Sequence, residues 1–500
     1  MVETVAERLI EVIVSLAAAW PAARHLVQRN RQDRWPAKHV ASAIVILAYA
    51  VFVGVCAFFL PIALRVVAAG SAIAIGMVIW RARSTYGRSR GLPPGSLAPV
   101  SGPIFTDQDF YLRQHAKHGP VFKTSPGLFY PVVCVVGHRV ALDMFRSHDR
   151  DLAPSPAAYN KHIPKGFLRY MNETDHRAYR RLFQAATTRP LVAENHAAIK
   201  EIMRTALARW TVASAPLEPA VTTMMYTVMV KLFFNIGTDD ARYDRLRDLC
   251  DRISFGDKDQ YDHRQAEPAL AEIERLVFGQ TAAAAATGKV ASVLDGILQE
   301  DQHAIEDATV RRNLVYMLET GHRDVAGLLT WVIKLLSDNR PWVERLRNSL
   351  TGQSQPVRDA RKTTLADRVI MEALRLERSE YLMRHALADI RIGPYTVPKD
   401  WNIRVCVREG HRTNATFEQP NQFNPDRFLD RAYDRADYAP FGLFNRRCIG
   451  QTIVADVGRL FLEELFGRYD FEVIGDGPVE FEAGHWHPNS TFSVRLNAQS

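Results

Sequence analysis

Residues 40–64, VASAIVILAYAVFVGVCAFFLPIAL, contain no charged side chain, and a run of this length exceeds the roughly 20 apolar residues a membrane helix needs. After Arg65 the chain stays uncharged to Trp80. Arg24, Arg29, Arg31, Arg34 and Lys38 precede the pair of runs, and Arg81, Arg83, Arg88 and Arg90 follow it. Cytoplasmic flanks collect Lys and Arg, so the symmetry predicts a transmembrane hairpin over 39–81 that turns near Leu60-Pro61 with both ends in the cytoplasm, a single span being the alternative. Residues 1–38 form a basic segment, amphipathic over 5–20, suited to the membrane interface. A cleaved signal peptide fits poorly, because the apolar region starts late and runs long. Residues 82–103 are rich in Arg, Pro and Gly and read as a stiff linker. The soluble body is therefore expected over 104–500.

With 47% hydrophobic and 24% charged residues, that body is expected to fold. The net charge of +8 suggests an anionic partner surface, but no recognition motif or aromatic-interleaved basic stripe accompanies it, which argues against nucleic acid. The five cysteines (Cys56, Cys134, Cys250, Cys406, Cys448) are scattered without zinc spacing and read as reduced thiols. Short strands and a helix are expected from GPVFKTSPGLFYPVVCVVGHRVALDMF, helices over about 175–338, strands again over 389–407, a helix after Cys448 and a terminal hairpin. The fold class is mainly α with small β-sheets (α+β).

The chemistry concentrates in FGLFNRRCIG, residues 441–450. A cysteine thiolate binds haem iron directly when backbone N–H groups tune it, a glycine lets the porphyrin approach and a cation meets the propionates. Phe441, Arg446, Cys448 and Gly450 fill four positions of an FxxGxRxCxG loop, and on these residues the segment resembles the cytochrome P-450 superfamily of haem-thiolate enzymes. Phe444 stands where that loop has its first glycine.

Further segments extend the resemblance. Glu372 and Arg375 in VIMEALRLER meet on one helix face, and FNPDRF places Arg427 in the meander before the haem loop; the resemblance implies that the three lock the cysteine-bearing loop. Arg384 lies where the family places a propionate contact, and NETDHRAYRRLF offers His176 and Arg180 as further donors. The matched motifs follow the family's order over about 92–498. The resemblance implies a cytochrome P-450 fold behind N-terminal transmembrane helices, and haem b held by Cys448 and by Arg446, Arg384, His176 and Arg180, with Phe441 and Gly450 shaping the loop.

The distal helix departs from the pattern. In NLVYMLETGHRDVAGLLTWVIKLL, Thr320, Gly321, His322, Arg323, Asp324 and Val325 occupy the A/G-G-x-D/E-T-T/S positions. Gly321 is kept, whereas Arg323 replaces the acid and Asp324 the threonine. Proton delivery at the distal face then falls to Asp324 with Arg323 beside it, or Arg323 anchors a substrate carboxylate. A pairing of these residues with each other or with a neighbouring helix is the plainer alternative.

The expected activity is that of a membrane-anchored monooxygenase, with its catalytic domain facing the cytoplasm, hydroxylating a lipophilic small molecule with O2. Electrons would come from a separate ferredoxin or flavoprotein reductase, docked on a basic face supplied by HRAYRRLF, NRRCIG and REGHRTN. The rival readings are a peroxygenase, dehydratase, isomerase or coupling enzyme, favoured by Arg323-Asp324, and a non-catalytic haem-binding membrane protein.

Overall fold

The computed structural model describes residues 70–73, 75–77 and 91–499, apart from residues 100, 128–129, 156–157, 189, 254–262, 280–289, 352–362, 378–380, 414, 430 and 483–484. The chain divides into two units, Met1–Gly87 and Arg88–Ser500. In the first, residues 70–73 and 75–77 are helical. The N-terminal segment 1–38 and nearly all of the expected hairpin over 39–81 lie outside the described residues. Among the described residues no helix is long and apolar enough to cross a membrane.

A six-stranded sheet organises one side of the second unit, in the order Gly95–Pro99, Val121–Ser125, Val132–Val135, Asn402–Val405, Leu382–Ala386 and Leu152–Pro154. Its edge strand lies within the stretch expected as linker, and the helix Ser101–Thr106 follows it. An edge strand tolerates proline because one side of its backbone needs no partner. Gly95 is required there: its φ is +113°, and a Cβ would sit 2.2 Å from the Lys123 carbonyl oxygen. Tyr469–Gly475 pairs with Ser493–Ala498, enclosing the hairpin Val479–Glu482 with His485–Pro488.

Eight helices carry the argument: α1 His138–His148, α2 Glu173–Thr187, α3 His196–Val212, α4 Leu217–Phe234, α5 Tyr243–Ile253, α6 Ala308–Asp338, α7 Leu365–Leu376 and α8 Gln451–Phe466. Helix α6 runs through the core; the Asp307 side chain caps its start by accepting from the Thr309 N–H at 2.7 Å. Its second half is buried without interruption from Val325 to Ile333, the pattern of a helix surrounded by protein. Helix α4, buried on most faces, packs along it. Helix α7 opens on a capping box in which Thr364 Oγ1 accepts from the Asp367 N–H and Asp367 Oδ2 from the Thr364 N–H, at 3.1 and 2.9 Å.

Candidate active site

Helix α7 ends in the ion pair expected from its sequence. Glu372 and Arg375 are both 0% exposed, and Arg375 donates to both carboxylate oxygens at 2.7 and 2.9 Å. Arg427 Nε reaches the same oxygens at 3.0 and 3.1 Å, and the Asn424 N–H adds a bond at 2.9 Å. The unused guanidinium N–H groups of Arg375 take the carbonyls of Pro420 and Gln422, and those of Arg427 take Glu418 and Gln422. Every polar atom of a costly buried triad is thereby satisfied, and segment 418–427 is tied to α7. Residues that the sequence did not mark extend the brace. His411 Nε2 accepts from the Ala439 N–H at 3.0 Å, the Tyr438 hydroxyl donates to the Met371 carbonyl, and the ring of His138 of α1 sits between the carbonyl oxygens of Val407 and Asp437, 3.0 and 3.2 Å from its two nitrogens.

The cysteine loop hangs from this brace. The Cys448 N–H donates to the Phe441 carbonyl at 2.9 Å and the Gly442 N–H to that of Ala439 at 3.0 Å, while the Phe441 ring packs against the main core. Cys448 lies three residues ahead of α8, whose N-cap is Gly450 and whose first turn makes no side-chain cap bond. Free N–H groups and a positive dipole end favour a thiolate there. A Cβ on Gly450 would touch Cys448 Sγ at 3.8 Å, so glycine leaves that flank of the sulfur bare. Cys448 is exposed, whereas Cys134, Cys250 and Cys406 are buried.

Around the loop stands a cluster of basic side chains. His176 and Arg180 come from α2, which Asn172 caps by accepting the Asp175 N–H; Arg384 comes from the strand Leu382–Ala386 and Arg446 from the loop itself. Arg180 is fixed on the Arg447 carbonyl at 2.7 Å, Arg446 on that of Arg169 at 3.0 Å and Arg384 on that of Met383 at 2.8 Å. Burial, and then Arg446, Arg180 and Arg384, hold the His176 pKa down at about 4. Burial, then Arg446 and Arg169, bring Arg384 down to about 10. Asp149 and Glu173 partly compensate Arg446. Groups that depress one another in this way favour an added anion, which fits the two carboxylates of a haem beside an exposed cysteine.

On the distal helix α6, a Cβ on Gly321 would meet nothing within 4 Å, and Asp324 is exposed. Thr320 and Asp324, one turn apart, share a helix face. Arg323 turns elsewhere: its Nε bonds Glu319 Oε1 at 2.8 Å, with the carboxyl side chain 1% exposed. His322 is buried edge-on to Tyr226 of α4, 5.4 Å between centroids, and the charges of both Glu319 and Arg323 reach buried Cys250 on α5. The structure thus records a pairing of Arg323 within its own helix, which is none of the sequence alternatives. Glu319 was missed, although its i,i+4 spacing to Arg323 was legible.

Another expectation is corrected. Arg408 and Arg412 of REGHRTN are not part of a basic surface: Arg408 is 6% exposed, and both arginines pair with Glu377 and Asp109. On the remaining segments Arg181 is exposed and Arg447 half-buried beside Cys448, and Arg435, from outside the expected segments, is exposed near Arg447.

Comparison with known proteins adds three findings. The cytochrome P-450 family model matches residues 95–490. Abscisic acid 8'-hydroxylase 2 of Arabidopsis thaliana is 23% identical over 77% of this chain and 85% of its own length, and abscisic acid 8'-hydroxylase 3 of Oryza sativa subsp. indica is 25% identical over 78% and 84%. The solved structure of a retinoic acid-bound cyanobacterial CYP120A1 shares the fold at TM-score 0.68, with 19% identity over 82% of this chain and 100% of that one. The match across most of the second unit, together with the hydroxylase relatives, leaves the non-catalytic reading without support. The chain belongs to the cytochrome P-450 family, as a monooxygenase that carries haem b on a cysteine thiolate and hydroxylates a small molecule.

Proposed function

We propose that Cys448 is the axial thiolate, that Arg446, Arg384, His176 and Arg180 hold the propionates, and that Asp324 serves the distal face while this enzyme hydroxylates a lipophilic small molecule. The observation that carries the assignment is the exposed Cys448, alone in its exposure among the described cysteines, just ahead of α8 and beside arginines whose charges lower one another's pKa and that of His176. Bound there, the haem supplies dioxygen activation and oxygen transfer to a C–H bond.

The protein's own part is placement and proton handling. Arg384 and Arg446 present guanidinium donors to carboxylates, a geometry they meet well, while neutral His176 offers one N–H. The positive N-terminal end of α8, just after Cys448, favours the thiolate form of the sulfur. Asp324, on the open strip beside Gly321, can accept a proton from solvent and pass it to a group at the distal face. The Glu319–Arg323 bond keeps the arginine off that strip, which supports Asp324 rather than Arg323 as the relay.

The uncharged run over 40–64, the flanking arginines and the exposed Ile73 and Met77 in the helical stretch after it support an N-terminal membrane hairpin over 39–81, a short linker ahead of about residue 91 and a catalytic domain facing the cytoplasm. Such an anchor favours a lipophilic substrate and membrane lipid as a neighbour. Arg181, Arg435 and Arg447 support docking of an acidic ferredoxin or flavoprotein reductase by complementary charge.

The test reconstitutes full-length protein in lipid vesicles with an NADPH-driven reductase system and a panel of lipophilic compounds. Hydroxylated product that requires NADPH and O2 is expected. Product formed equally well with hydrogen peroxide alone would select the peroxygenase reading, and extraction of the chain by alkaline carbonate without detergent would remove the anchor.

A further inference from the structure

The matched haem loop has glycine where this chain has Phe444, and the backbone explains what is unusual about the exchange. Phe444 has φ +59°, in the left-handed region that glycine enters freely and a residue with a Cβ enters at a cost. A ring kept at such a position needs a compensating contact. Phe444 stacks on Phe145 of α1, with centroids 6.0 Å apart and planes 10° from parallel, an offset arrangement favoured between aromatic rings. Phe145, 1% exposed, is also the ring over which the Arg384 guanidinium lies, its Cζ 5.1 Å from the centroid. Two neighbours in the same turn act alongside. Asn445 Nδ2 donates to Asp149 Oδ2 at 3.4 Å, and Arg446 bonds the Arg169 carbonyl.

We propose that Phe444, acting through Phe145, is a positioning residue for Arg384, so that the turn four residues ahead of Cys448 and the cation that meets a haem propionate are held as one unit. The proposal rests on the assignment of Arg384 to a propionate. With the Phe444 ring removed, Phe145 loses its stacking partner and Arg384 the fixed face beneath it. Haem is then released faster. The cation also drifts from the carboxylate, so the reduced state, which carries one more negative charge, is less stabilised and the reduction potential falls.

The experiment measures haem transfer to excess apomyoglobin, equilibrium reduction potential and thermal melting for Phe444→Gly, Phe444→Leu, Phe444→Tyr and Arg384→Ala, all in the full-length holoprotein. Phe444→Gly and Phe444→Leu are expected to speed haem release roughly five- to tenfold, the loss of about one aromatic or cation–π contact, and to lower the potential. Phe444→Tyr, which keeps a flat ring, is expected to restore both. In the Arg384→Ala background, Phe444→Gly is expected to add nothing further. A purely structural ring would shift the melting temperature alone. The proposal is overturned if Phe444→Leu and Phe444→Gly release haem at the wild-type rate and potential, or if their effects persist undiminished without Arg384. If Arg384→Ala itself changes neither release nor potential, the propionate assignment falls instead.

Discussion

The cysteine side and the distal helix of this protein obey different rules. Around Glu372 each polar atom has a partner, the Glu372–Arg375 pair is fully buried and the contacting residues match the family's spacing. Along Thr320–Val325 one glycine is kept, the acid position holds an arginine bonded within its own helix, and the alcohol position holds an exposed carboxylate. The difference teaches where the physics is demanding. A buried carboxylate under two guanidiniums permits few substitutions, because any unpaired charge left behind is costly. A distal proton donor must only titrate and reach, and an aspartate can do so in place of an acid and alcohol pair.

Glu372→Ala strikes the demanding side, and the largest effect is expected there. Removing the carboxylate leaves Arg375 and Arg427 buried without their shared anion, a loss of about 3–5 kcal/mol. Thermal melting of full-length protein is expected to fall steeply and haem content with it; a variant with wild-type melting would end the claim that the triad locks the loop.

Asp324→Asn strikes the permissive side. Turnover is expected to drop about ten- to hundredfold, with oxygen consumption diverted to hydrogen peroxide, while melting stays unchanged. Should Asp324→Asn turn over normally and Glu319→Gln lose activity instead, the relay would belong to the Glu319–Arg323 pair and the contrast between the two faces would need redrawing.

The smallest effect concerns His176. Its folded pKa of about 4 lies below the ordinary 6.5, so between these values the unfolded chain binds a proton that the folded chain refuses. The haem-free protein therefore loses stability from this group as pH falls from about 6.5 to 4, and regains none below. Propionates beside the ring should raise that pKa. Histidine NMR of haem-free and haem-loaded protein is expected to show an upward shift on loading; an unchanged titration would place His176 outside the cradle.

Much of this could be read from sequence where one element brings the residues together. Glu372 and Arg375 share a helix face, and the order of Arg427, Arg446 and Cys448 follows from one continuous segment. The strands of 121–135 and 390–405 announced themselves by β-branched runs. What stayed hidden depends on distant partners. Phe145 meets Phe444 across the fold, and nothing near either position signals the pairing. Arg408 and Arg412 looked like surface charge because Glu377 and Asp109 are remote in the chain. The edge strand Gly95–Pro99 was masked by a composition equally suited to a linker.

The central claim is that Cys448 supplies the thiolate, and the difference spectrum of the reduced protein with carbon monoxide tests it most directly. Wild-type protein and the Cys134→Ala, Cys250→Ala and Cys406→Ala variants are expected to show the Soret band of thiolate-bound haem, and Cys448→Ala is expected to lose it while remaining folded. A histidine-type band in the wild type, or a thiolate band that survives in Cys448→Ala, would contradict the account.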